Sequence, residues 1–170
     1  MTDGLDRFLP EVWLRGPLPE YIDELQPVAH SLLQVREEVG RIAGIPAAQV
    51  WSRPGGAASI GFHLKHLAGS LDRLITYAAG RQLTAAQFEF LAAEERDTGE
   101  SAETLVRAAQ AAIDRALTHA RTTPLCTLDE AREVGRNRLP STVLGLLFHA
   151  AEHAQRHSAQ IITTARILNG

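Results

Sequence analysis

Three histidines, His149, His153 and His157, stand four residues apart in the stretch FHAAEHAQRHSAQ. Four residues is just over one helical turn, so on a helix their imidazoles form a row along one side. Two histidines at i and i+4 have Cβ atoms about 5–6 Å apart and can reach one metal ion together. A second pair, His63 and His66, lies in GFHLKHLAGSLDRL. A single histidine on a helix is most often an ordinary polar-face residue. Two clusters on segments that can pack together shift that balance, and we expect a metal between them. The remaining two histidines, His30 and His119, are isolated and read as structural or surface residues.

Helices must position these side chains. Residues 1–18 read as a lead-in loop, with Gly4, Pro10, Gly16 and Pro17 as breakers and Trp13 and Leu14 pinning it to the core. Apolar residues at the 3.6 period predict a first helix over Pro19–Ala43, ended by Gly44 and Pro46. RPGG at Arg53–Gly56 is a turn signal, and a second helix follows over Ala58–Ala79. Thr84 and Gln87 have the spacing of a capping box, which opens a short helix ending near Glu95. A third long helix is expected over Ser101–Ala120. Residues 121–140 read as irregular, with Pro124 and Pro140 as breakers. The last helix is expected over Thr142–Leu168, with Ser141 able to cap it. No stretch reads convincingly as a strand. Four long amphipathic helices predict an all-α four-helix bundle in one domain, residues 1–170. The long connection with its own short helix can run the length of the bundle and leave the second and third helices parallel.

Composition agrees. Hydrophobic residues make up 45% and aromatics only 5%, which favours helices over a sandwich or barrel. The net charge of −3 comes with no basic block, so no nucleic-acid partner is expected. No stretch nears the roughly 20 apolar residues of a membrane span. The start of the chain has neither a basic n-region nor an apolar h-region, and the single Cys126 suits a reducing compartment. These features predict a cytoplasmic protein with no membrane partner. Alanine-rich helices, with Phe88, Phe90 and Leu91 on the short helix, predict a homodimer. Cys126 reads as a chance loop thiol. Glu94, Glu95, Asp97 and Glu100 read as a solvated helix end, and Glu152 as solvent-facing.

At ~100° per residue, His157 lies about 80° from the apolar centre of the last helix, His153 about 120° and His149 about 160°. That ranks His157 and His153 above His149 as ligands. On the second helix His63 lies about 70° from the apolar centre and His66 about 130° by the same arithmetic. The wheel mildly prefers His63 and leaves both open.

HAAEHAQRHSAQ resembles the DinB/YfiT-like signature, HxxxH followed shortly by a small residue and Gln, here His153-Ala-Gln-Arg-His157-Ser-Ala-Gln160. SIGFHLKHLAGSLDRL resembles the second-helix motif of that family, an apolar run ending in His66-Leu67-Ala68. Ser158-Ala159 stand where the family often has Arg-Gly. The resemblance covers essentially the whole chain. It implies a four-helix bundle of up-down-down-up topology and a divalent metal held by His66, His153 and His157, with His63 the alternative ligand on the second helix. Gln160 would then be a packing or supporting residue. Members of known activity include thiol-dependent S-transferases, using mycothiol or bacillithiol, and a maleylpyruvate isomerase.

Three imidazoles leave open positions on the ion, as in catalytic sites. Zinc suits the ligand set best, with nickel, iron and manganese also compatible. An open position can take a low-molecular-weight thiol as thiolate, which attacks a small electrophilic substrate. Alternatives are a metal-dependent hydrolase and a non-catalytic metal- or ligand-binding bundle. His63 and His149, beside the ligands, are candidates for a proton shuttle or for support.

Overall fold

Helices account for most of the computed structural model, which describes residues 10–170; part of the lead-in, including Gly4, lies outside them. Val12–Arg15 and Asp23–Leu25 form 3-10 turns, and α1 runs Gln26–Gly40. It begins later than the periodicity suggests. The Gln26 side chain donates to the carbonyls of Leu18 and Tyr21 and accepts from the Leu18 N–H, so the backbone before it is satisfied in a turn rather than in helix. Trp13 and Leu14 do not pin the lead-in: they are 61% and 56% exposed, and Val12 is the residue that buries.

A four-residue turn, α2, covers Ala47–Val50. α3 spans Ile60–Ala78, with the Ser59 hydroxyl accepting from the Phe62 N–H. Gly80, at φ 70°, closes it in the left-handed region open to glycine. α4 spans Ala85–Ala93 behind the expected capping box of Thr84 and Gln87. Phe88, Phe90 and Leu91 on α4 are each more than 40% exposed. α5 spans Ala102–Thr122, capped by Ser101.

The segment read as irregular contains a hairpin. β1 (Ala131–Val134) pairs antiparallel with β2 (Leu139–Thr142), Ala131 opposite Thr142. Pro140 is tolerated because a two-stranded sheet consists of edges only. α6 then runs Val143–Asn169, and its cap is Thr142 rather than Ser141: the Thr142 hydroxyl accepts from the Gly145 N–H at 3.0 Å.

α3 packs on α5 and α6, and α1 packs on the same two helices. Between them lies a core that includes Leu32, Leu64, Leu67, Leu71, Ile113, Leu147 and Ile161, each 1% exposed or less. Polar ties register α6 on α1. The buried Ser158 hydroxyl donates to Glu38 at 2.5 Å, and Gln155 donates to the Ser31 carbonyl. No described helix is long and apolar enough to cross a membrane.

Candidate metal centre

The α3–α6 contact brings both histidine clusters into one group. His66 from α3 and His153 and His157 from α6 each offer a ring nitrogen, and these nitrogens lie within 4.8 Å of one another. The ring centroids of His66 and His157 are 4.6 Å apart, and those of His153 and His157 4.5 Å. His66 Nε2 faces His153 Nε2 at 3.1 Å. Three imidazoles that bring their nitrogens together in this way could hold a divalent ion. His153 Nδ1 is buried with no hydrogen-bond partner. A buried polar atom left unsatisfied is costly, but this is not the nitrogen that faces His66, so it is the converging nitrogens of the three rings that point to an ion. The three side chains therefore fit a metal and could hold one.

Burial, with the charges of neighbouring histidines, holds His153 down to about 4 and His157 to about 3. His63 is lowered for the same reasons, burial first and then His66. Near pH 7 these rings are neutral and keep a lone pair available for an ion.

His63 belongs to the cluster but sits behind it. It is 7% exposed, nearer the core than His66, in keeping with the wheel, and its Nδ1 lies 2.9 Å from His157 Nδ1. The two rings are thus within hydrogen-bonding distance of each other. His149 is exposed, with Nδ1 2.6 Å from Glu152 Oε1 and its ring 5.3 Å from that of His153. The Phe62 ring stacks on His66, centroids 5.4 Å apart, and covers the cluster on that side. Gln160 is exposed and neither packs nor supports the site, which corrects the expectation drawn from the family resemblance.

One residue of the site was misread from the sequence. Glu94, in the acidic run expected to be solvated, is 1% exposed. Its Oε2 lies 2.7 Å from His66 Nδ1, and its Oε1 accepts from Arg73 Nη1 at 2.7 Å. Gly69, between His66 and Arg73 on α3, leaves the space the carboxylate occupies. Glu95 and Asp97 are exposed as expected. His30 and His119 stand apart from the cluster: His30 faces the Gly16 carbonyl at 3.0 Å, and His119 is half-buried on α5.

A mostly helical protein with a histidine group bridging two packed helices is thus defined. A sequence model of the DinB superfamily matches residues 21–161, and the chain belongs to the DinB superfamily. No curated protein is significantly similar to it.

Proposed function

We propose that the chain is a metal-dependent enzyme of its superfamily, with His66, His153 and His157 as the ligands. The observation that carries this reading is the convergence of those three ring nitrogens within 4.8 Å. The scaffold we infer is a four-helix bundle running up, down, down, up. Tyr21 meets Leu117 and Arg36 meets Asp114, so α1 and α5 oppose each other. Ser31 meets Gln155 and Glu38 meets Ser158, so α1 and α6 agree in direction. His63 meets His157 and His66 meets His153, so α3 and α6 oppose. The long link from α3 to α5 is what lets those two helices run parallel.

Zinc is the ion proposed, with nickel, iron and manganese compatible with three histidines. When bound, a divalent ion supplies positive charge that favours the thiolate of a low-molecular-weight thiol at neutral pH. The chain's own residues do the rest. His63 holds the ring of His157 from behind through its Nδ1. His149, exposed and paired with Glu152, can pass a proton to solvent. Phe62 keeps water from one face of His66. A cleft of about 210 Å³ lined by Trp51, Arg53, Ser59, Phe62, Glu95 and Asp97 shares Phe62 with the cluster, and we place a small electrophilic substrate there. The reaction proposed is attack of the thiolate on that electrophile: a new carbon–sulfur bond forms, the thiol keeps its own, and the displaced electron pair leaves with a departing group of the electrophile or is taken up with a proton.

The test has two stages. Metal content is measured by mass spectrometry on tag-free protein, with His153→Ala beside the wild type. Close to one equivalent in the wild type and little in the variant supports the site. No metal in either, even after incubation with zinc, nickel, iron and manganese, refutes it. Thiols are then screened against a model electrophile. Turnover that disappears with chelator supports the transferase, and a loaded site inert to every thiol leaves a binding bundle.

A further inference from the structure

We propose that Glu94 is the positioning residue of the histidine centre: it fixes the tautomer and the plane of the His66 ring so that Nε2 faces His153 as a bare lone pair. The proposal rests on the metal-site reading above and deepens it.

An ionised carboxylate can only accept hydrogen bonds. Glu94 Oε1 accepts from Arg73, so the charge on Glu94 is compensated inside the protein. Its Oε2 is 2.7 Å from His66 Nδ1, which makes Nδ1 a nitrogen that carries a hydrogen, and in a neutral imidazole the only one. Nε2, the nitrogen turned toward His153, is then the one without a hydrogen. A histidine that coordinates through one nitrogen commonly gives its other N–H to a carboxylate, which fixes the ring and raises its basicity.

Three features give the carboxylate a built seat. Glu94 is 1% exposed although the α4 segment before it buries no residue fully. Gly69 lies between His66 and Arg73 on the same face of α3, and any Cβ there would overlap Glu94 Oε1. Gln87 donates to Asp72 and Thr76 of α3, holding the other end of α4 against the same helix. The end of the crossover helix thereby delivers one buried charge, that of Glu94, 28 residues from His66 in sequence, to the ring that needs it.

The decisive variant is Glu94→Gln. With its amide oxygen kept by Arg73, the amide nitrogen faces His66 Nδ1 and donates to it. That drives the proton to Nε2 and blocks the nitrogen that faces His153. The ring tautomers are read directly from ¹⁵N-labelled, metal-free protein by long-range ¹H–¹⁵N correlation NMR at pH 7.5. Zinc affinity is read by competition with a chromophoric chelator, and folding by far-UV circular dichroism. The expected result is an Nδ1–H His66 in the wild type and an Nε2–H His66 in the folded variant, with zinc binding weakened about 10–100-fold. An Nε2–H His66 in the wild type overturns the proposal without reference to any variant. So does an unchanged zinc affinity in a folded Glu94→Gln protein. A wild type that binds no zinc yet shows the Nδ1–H tautomer refutes the metal reading and leaves the positioning of the ring by Glu94 standing.

Discussion

Gly69→Ala adds one methyl group to α3 and touches no candidate ligand, yet it should cost the protein both stability and metal. The new Cβ would overlap Glu94 Oε1 and come within 2.8 Å of Arg73 Nη1 and Phe90 Cε1. Helix propensity alone favours alanine by about 1 kcal/mol. Against it stands an overpacking cost of about 2 kcal/mol. The buried Glu94–Arg73 pair must also loosen. Complete loss of a buried pair costs about 3–5 kcal/mol, so partial loss costs about 2. Glu94 is 1% exposed, so the carboxylate cannot swing into solvent without leaving both partners. The balance is about 3 kcal/mol of destabilisation, and at about 2–4 °C per kcal/mol for a chain of this size the midpoint falls by about 6–12 °C. Thermal melts of metal-free protein by circular dichroism measure it. Zinc competition on the same samples should show weaker binding, because His66 loses its fixed partner. A Gly69→Ala protein as stable as the wild type, or more stable by the helix-propensity increment, would show that the Glu94 carboxylate does not occupy the space over Gly69, and the account of the site would fail with it.

The acid limb of stability carries a second signature. His153 titrates at about 4 and His157 at about 3 in the folded metal-free chain, both lowered chiefly by burial, whereas an unfolded histidine titrates near 6.5. Between those values the unfolded chain binds more protons than the folded one, so stability falls as pH drops from about 6.5 toward 3–4 and is flat with respect to these groups above it. Urea titrations of metal-free protein across that range should show this decline. His157→Gln should make it shallower by up to one proton, and an equally steep limb in the variant would contradict the assignment. The buried pair can be tested by a mutant cycle. Arg73→Met should destabilise by about 3–5 kcal/mol because it strands the Glu94 charge. Arg73→Met with Glu94→Gln should lose less than the sum of the single changes by about 1–3 kcal/mol. Strict additivity in urea unfolding would mean that the two side chains do not interact.

How much of this centre could be read before the fold was known depends on how far each signal travels along the chain. The i/i+4 spacing of His153 and His157 is local, and so are the capping box of Thr84 and Gln87 and the apolar period of the long helices, so all were legible. The hairpin was missed because Pro140 reads as a breaker, and only the absence of further strands beside it makes a proline in β2 harmless. Trp13 was misplaced because a large aromatic invites burial, while the 3-10 turn at Val12–Arg15 directs Val12 inward instead. Glu94 was missed for a deeper reason. It ends a helix with no apolar stripe, inside an acidic run, and every local rule places such a residue in water. What buries it is a partner 28 residues away in sequence. One trace of that partnership was nonetheless present in α3. A glycine inside a helix costs about 1 kcal/mol relative to alanine, and it is retained where something must come close. Gly69 stands three residues after His66 and four before Arg73, and the carboxylate of Glu94 comes close there; Gly61 does the same for the Trp51 ring, whose atoms would lie 2.8–2.9 Å from a Cβ. Both glycines of α3 therefore mark where a side chain from outside the helix is seated, and the one that shares a face with a candidate ligand marks the residue that holds that ligand's ring.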